Sequence, residues 1–283
     1  MSPRNFGFIK ISIILTIFVT LQFRGTCGLV TFEQDVSLTE LQVKALAEFK
    51  ERMLPKIKQD YMKEDIYLVK FLRSKKFDVE KAVTMLNTFL AWRESTNFDK
   101  LTNEDFTDLA TEYPYEVLGV DNEGKPLLQW YYSDWDVRKA AVGGNMERLN
   151  VYIAKMFDNA WLKVRDLQKE GKNVTRFVIV LDMEKINLLQ HLTPSCMPIY
   201  INTVLAYDRY FPKQGDDVYL INTPGLFEVG LNLAKSVMDQ DTKNSLQVFG
   251  QNKQQWMTAL YKNVDPTQLT HHYGGTMPSK FDS

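Results

Sequence analysis

The sequence predicts an α/β protein whose N-terminal third is a helical bundle and whose remainder is a mostly parallel sheet with flanking helices. Three observations lead there. Between Ser37 and about residue 112 the apolar residues recur at helical spacing. From Tyr115 onward, short apolar runs alternate with long amphipathic stretches, the pattern of strands joined by crossover helices. The run Phe177-Val178-Ile179-Val180-Leu181 is apolar without alternation, as a strand buried on both faces must be.

Residues 1–28 stand apart from that pattern. Arg4 and Lys10 precede an uncharged run, Ile11 to Phe23, which is followed by Arg24 and the small residues Gly25, Thr26, Cys27 and Gly28. A basic start, an apolar stretch of about 7–15 residues and small residues at the cut describe a secretory signal. The run is shorter than the about 20 residues that span a bilayer. Cleavage is expected after Gly28. The remaining chain divides into a helical segment, 29–112, and an α/β domain, 113–283.

In the helical segment, Ser37-Leu38-Thr39-Glu40 reads as a capping box that opens a helix to about Met53, closed by Pro55. A second helix covers about Glu64 to Lys75. Asp78 caps a third, Val79 to about Ser95, whose face carries Val79, Ala82, Val83, Leu86, Phe89 and Leu90. A short fourth follows Thr102. Two strands then flank Asp121-Asn122-Glu123-Gly124, a hairpin signal with glycine at the tight position. A long helix runs from about Met146 to Glu170, a strand from Arg176 to Asp182, and a helix from about Thr193 to Tyr210. The stretch DDVYLINTPGLFEVGLNLAKSVMD (216–239) is a strand, a turn and a helix, with Thr223 as cap and Pro224 at the first helical position. A strand near Leu246 to Phe249 and a helix from Asn252 to Lys262 complete the domain.

The chain offers little reactive chemistry. Charge is nearly balanced, a formal −1 over 283 residues, and no basic patch points to nucleic acid. No phosphate-binding GxGxxG, P-loop or GxSxG elbow occurs. Cys196 lies five residues from His191 in an apolar setting that favours an inert thiol. His271 and His272 diverge as neighbours and read as a surface pair without a third metal ligand. Asp182 and Glu184, at a strand exit, read as caps. No catalytic residue, metal or cofactor is expected. Cys27 and Cys196 are the chain's two cysteines, so no disulfide can form once residues 1–28 are removed. Asn173-Val174-Thr175 is an N-glycosylation acceptor on an expected surface loop. The helix after Thr223 is apolar around most of its circumference. Such a helix is either buried on all sides or covers an apolar cavity.

Five stretches together resemble the CRAL-TRIO lipid-binding family: DIYLVKFLRSKKFDVEKAVTMLNTFLAWRE (65–94), GVDNEGKPLL (119–128), FVIVLDMEKINL (177–188), YFPKQGDDVYLINTPGLF (210–227) and VDPTQLTHHYGGTM (264–277). They follow in the family's order and cover nearly all of 37–277. Within the family the chain is most similar to supernatant protein factor and tocopherol-associated members, without the β-sandwich domain that follows there. The resemblance implies a lipid cavity floored by strands and closed by a mobile gate helix carrying Leu226, Phe227, Leu231, Leu233 and Val237. With strand alternation, it implies a wall of Phe177, Ile179, Leu181, Val218 and Leu220, joined by Phe211, Phe227, Leu231 and Met238, and by Trp130, Tyr132, Tyr152 and Met156. Lys75 and Lys213 are the candidate headgroup contacts. Lys213 stands where phosphatidylinositol-transferring members carry Glu, and Ser245 where they carry Lys. Little affinity for phosphoinositide headgroups is therefore expected.

The function these readings imply is binding and transfer of a small hydrophobic lipid: tocopherol-, squalene-, retinoid- or sterol-like, or a phospholipid. The alternative is a lipid-responsive regulator that binds a protein partner and transfers nothing. Expected partners are the hydrophobic ligand and, transiently, a membrane surface. The expected location is the secretory pathway or outside the cell, with a cytoplasmic, peripheral-membrane protein as the alternative.

Overall fold

A computed structural model of the protein describes residues 30–279; the expected signal, residues 1–28, lies outside them. The helical segment comprises α1 (Phe32–Val36), α2 (Glu40–Met53), α3 (Asp65–Ser74), α4 (Val79–Ser95) and α5 (Thr107–Glu112). Then follow β1 (Glu116–Val120), β2 (Pro126–Tyr131), α6 (Val137–Val142), α7 (Met146–Lys169), β3 (Phe177–Asp182), α8 (Leu188–His191), α9 (Met197–Tyr210), β4 (Gly215–Ile221), α10 (Glu228–Val237), α11 (Gln240–Ser245), β5 (Leu246–Val248) and α12 (Lys253–Asn263).

Several elements start where their local chemistry requires. Asp78 accepts from Lys81 N and caps α4. Gly124 takes φ +82 in the turn between β1 and β2, a conformation that favours glycine. Two expected caps are corrected. The box at α2 is formed by Thr39 with Gln42, not Ser37 with Glu40, and the Ser37 hydroxyl instead donates back to Glu33 O. Both residue pairs fit the pattern, and α1, absent from the sequence reading, takes up the chain to Val36 so that Ser37 is already its C-cap. Thr223 does not cap α10. A 3₁₀ turn, Gly225–Phe227, intervenes, and Pro224 precedes it as its N-cap. The Thr223 N–H is already committed to Phe249 O, which holds it in an extended, strand-like pairing.

The sheet order is β1-β2-β3-β4-β5, with β1 antiparallel to β2 and the rest parallel. Parallel strands that step one way across a sheet by right-handed crossovers place their connecting helices on one face. The burial agrees. Leu128, Trp130, Ile179 and Leu220 point into a large apolar cluster with α7, α9 and α10. Leu127, Val178, Val180, Tyr219 and Ile221 point the other way, against α12 and the C-terminal segment. The helical bundle joins the first cluster without a break: Phe71 and Phe89 lie in it together with Phe157 and Phe211.

Candidate functional site

The register of the sheet fixes the floor of the site. Leu128 is level with Ile179 and Val218; Trp130 is level with Leu181 and Leu220. Side chains level across a sheet share a face, so the five strand residues expected to line a cavity do lie together. Tyr152 and Met156 of α7, Phe211 after α9, and Phe227 and Leu231 around α10 are buried in the same cluster. Tyr132 and Trp130 are also in it, and Leu181, Val218 and Met238 pack against it. All the expected wall residues are thus brought together. Of the expected gate residues, Leu233 and Val237 are half-buried, whereas Leu226 is exposed on the 3₁₀ turn rather than on the helix.

The packing over this floor is uneven. Val180, Tyr219 and Ile221 on the α12 face are buried, but Leu181 and Val218, on the same central strands, keep intermediate exposure on the other face. Helix α9 shows the same signature. Every residue from Ile201 to Tyr207, about two turns, is half-buried. A helix packed on one side would alternate buried and exposed residues. Over these two turns no residue of α9 is fully covered, although Tyr207 still meets Phe157 (5.2 Å between centroids) and its hydroxyl accepts from Gly215 N (2.8 Å). Helix α10 packs chiefly on α9, while α7 lies directly on β2 and β3. The half-exposed apolar residues thus gather in the space between the β3–β4 floor, α9 and α10.

One end of this space is lined with aromatic rings. Tyr132 contacts Trp135 (5.7 Å between centroids) and Tyr200 (5.8 Å), Trp130 stacks on Trp135 (5.9 Å), and Phe227 meets Tyr200 edge-on (5.5 Å). Burial pushes the Tyr132 phenol well above its ordinary value. The Trp130 indole N–H is buried without a protein partner.

The segment carrying α10 is anchored at both ends by buried carboxylates. At its start, Asn222 has φ +53, and its side chain donates to both oxygens of Asp182 (3.1 Å each) while accepting from Trp256 Nε1 (2.9 Å). Asp182 also accepts from Glu184 N (2.8 Å), the capping role expected of it. Both neighbouring histidines are exposed, as expected, yet His272 Nε2 lies 2.5 Å from Asp182 Oδ2. The crossing of the C-terminal segment over the strand ends, invisible in local sequence, brings the two together. At the far end, Asp208 of α9 accepts from Asp239 N (2.7 Å) and Thr242 Oγ1 (2.5 Å). Outside, Leu226, Val229, Leu188 and Leu189 leave large apolar side chains exposed.

The headgroup candidates part company. Lys213 lines a polar cleft of ≈ 250 Å³ with Ser245, Asp216, Asp217 and Asp241, and is ion-paired with Asp241. Lys75 is half-buried and is not part of that lining. Cys196 is buried and bonded to Thr193 Oγ1 (3.1 Å) and Gln190 O (3.5 Å), so its thiol sits in a loop network. Among the described residues, no group of three or more His, Cys, Asp or Glu gathers as metal ligands would. Asn173 is exposed, while the Thr175 of its triplet is buried and donates to Asp35 Oδ2 (2.7 Å).

The CRAL/TRIO domain family model matches residues 111–275, more than half of the chain, and the model of the CRAL/TRIO N-terminal domain matches residues 45–88. The chain belongs to the CRAL/TRIO family. It is similar to Patellin-6 of Arabidopsis thaliana, 27% identical over 218 residues, 75% of this chain and 51% of that one. It is also similar to phosphatidylinositol/phosphatidylcholine transfer protein SFH7 of the same plant, 24% identical over 219 residues, 75% of this chain and 39% of that one. The chain thus spans about half the length, or less, of these curated relatives. The crystal structure of Sfh5 shares the fold, with a TM-score of 0.59 and 15% identity over 84% of this chain and 88% of that one.

Within this CRAL/TRIO chain, sequence reasoning missed Trp135, Tyr200 and the inner side of α9. Trp135 lies on a loop without periodicity. The α9 residues Ile201, Val204 and Leu205 lie in a stretch that the sequence marks only as helix. Only their half-exposed state in the fold marks them out.

Proposed function

We propose that the chain binds an apolar lipid between the β3–β4 floor and helices α9 and α10, and carries it between membranes. The observation that carries this reading is the uniform partial exposure of Ile201–Tyr207 above the half-exposed Leu181 and Val218. Apolar side chains left partly unpacked inside a fold gain about 25 cal/mol for each Å² that a ligand removes from water. Binding of that kind needs no reactive group. Helix α10 is the moving cover, pivoting at Asn222 and Asp208. The exposed Val229 on α10 and Leu226 on the turn before it suit contact with a bilayer while it opens. The relatives named for phosphatidylinositol and phosphatidylcholine transfer support lipid transfer as the activity class.

The ligand is a compact apolar lipid rather than a phosphoinositide. In the cleft that holds Lys213, Arg176 and Ser245, both cations are already paired, Lys213 with Asp241 and Arg176 with Asp35, and Asp216 and Asp217 oppose an inositol phosphate. Residues 1–28 direct the chain into the secretory pathway. Native mass spectrometry with organic extraction, on protein from a eukaryotic secretory host, tests ligand, leader and Asn173 glycan together. A co-purifying apolar lipid, and faster movement of that lipid between two vesicle populations, are expected. Binding without transfer would replace the carrier by a lipid-responsive regulator. Selective binding to phosphoinositide vesicles would overturn the assignment of the headgroup cleft.

A further inference from the structure

The floor of the lipid space carries a polar atom without a partner. Trp130, near the end of β2, is level with Leu181 and Leu220 and shares their face of the sheet. It is 5% exposed and lies in the same cluster as Phe227 and Leu231. Its indole N–H is buried and meets no acceptor among the described residues. A buried indole N–H ordinarily finds a partner, because leaving it unpaired is destabilising. Trp135 and Trp256, equally buried, donate to Pro114 O (3.0 Å) and Asn222 Oδ1 (2.9 Å). The Trp161 N–H is also unpaired, but its ring packs against Tyr67 (5.8 Å between centroids) and under Lys70 (5.4 Å), on the bundle side of α7.

The other polar groups at this end of the floor already have protein neighbours. The Tyr200 hydroxyl donates to His191 O (2.7 Å) and interacts with that of Tyr132. His191 Nδ1 bonds to the Asn187 backbone (3.1 Å), and the carbonyls of Tyr132 and Trp135 act on its ring, although Nε2 itself completes no bond. Apart from burial, the groups that act most on the Tyr132 phenol are Tyr200, Cys196 and Tyr113, and none of them is a cation. An ionised headgroup would enter here without a counter-charge, which is costly. A pure hydrocarbon would leave the Trp130 N–H unpaired. An uncharged oxygen meets both conditions.

We propose that Trp130 Nε1–H reads one end of the ligand: the lipid carries an uncharged acceptor oxygen, a hydroxyl, ether or carbonyl, which docks among the aromatic rings beside Phe227. The proposal rests on the reading that a lipid occupies the space between the floor, α9 and α10, and it sets a squalene-like hydrocarbon aside. A site built around a donor rejects the analogue that lacks the acceptor, because its own buried group is then left without a bond. An indole N–H donates and cannot accept. An ether therefore serves as well as an alcohol, and the ligand's own proton is not what is read.

The test uses four probes of equal chain length on the delipidated full-length protein: hexadecan-1-ol, hexadecyl methyl ether, hexadecane and palmitate. In wild type against Trp130→Phe, the ratio of hexadecanol to hexadecane affinity should fall about tenfold, the loss of one hydrogen bond, and the ether should follow the alcohol. A second readout needs no variant. In the ¹⁵N–¹H spectrum of the wild type, one of the five indole resonances, assigned to Trp130 by its contacts with Trp135, should move downfield with the alcohol or the ether and stay in place with hexadecane. An unchanged ratio, or an unmoved Trp130 resonance with the probes bound, would overturn the proposal and leave a buried water as the partner of the N–H, while lipid binding stands. Tighter binding of palmitate than of hexadecanol would overturn the uncharged end. If no probe binds, the lipid-binding reading itself falls, and the proposal with it.

Discussion

Asp35 sits where the helical bundle meets the sheet, and its two oxygens are fully engaged. Arg176 donates to both (2.6 and 2.7 Å), Thr175 donates to one (2.7 Å), and Lys70 lies 3.7 Å away. Burial alone would raise its carboxyl, but Lys70 and Arg176 more than reverse that and hold it below the usual carboxylate range. Burial likewise pushes Lys70 down to about 7. Asp35→Ala would strand Arg176 in the interior, and a loss of about 3–5 kcal/mol in denaturant unfolding is expected. A depressed carboxyl stabilises above its unfolded pKa, near about 3.9, and loses that effect as pH falls through the folded value. The variant should therefore lack part of the wild-type loss of stability below about pH 4. Asn222 is the second residue of this kind. Asn222→Ala leaves Asp182 and the Trp256 N–H short of partners and puts a less permissive residue at φ +53. A cost of about 2–3 kcal/mol is expected, together with faster ligand release in a fluorescence exchange assay. An unchanged release rate would separate the hinge from the cover.

At the scale of elements, α10 has a buried inner line, Gly230, Leu231 and Ala234, and an apolar residue on the outside, Val229, 74% exposed. Val229→Lys should leave stability within about 0.5 kcal/mol while weakening sedimentation with neutral vesicles. Equal sedimentation would mean that the outer face of α10 does not meet the bilayer. On the floor, Leu181→Trp should fill the space under α9 at a cost of no more than about 1–3 kcal/mol. The purified variant should then yield no extractable lipid. The boundaries of these elements were legible in sequence to within a few residues, but their caps were not always so. Ser37 with Glu40 and Thr39 with Gln42 satisfy the same pattern, and only the presence of α1 decides between them. At Thr223 the signal of cap plus proline was sound chemistry in the wrong context, because the 3₁₀ turn Gly225–Phe227 separates it from the first turn of α10.

Across the whole molecule, the bundle and the sheet share one apolar core, so ligand binding and global stability are coupled. A ligand at 100 times its Kd adds about 2.7 kcal/mol to a fold that binds it only when native. Delipidated protein should therefore unfold at a lower Tm than protein as purified, and readdition of the extracted lipid should restore it. A Tm indifferent to delipidation would mean that the space under α10 is not the binding site. No helix among the described residues is long and apolar enough to cross a membrane.

The resemblance to the CRAL-TRIO family implied the set of residues that meet over the β3–β4 floor, and the sequence by itself determined the α/β class and the order of the five strands and of the longer helices. Those follow from periodicity and alternation, which are local properties that each segment carries alone. Only the tertiary structure decided that Leu181, Val218 and Ile201–Tyr207 stay half-exposed above the floor, that His272 reaches Asp182, and that Val30 docks on Asp216. Each of these depends on groups far apart in the chain: residues 182 and 272, or 30 and 216. Their approach is set by how helices pack across the sheet, and no local pattern encodes a distance between them.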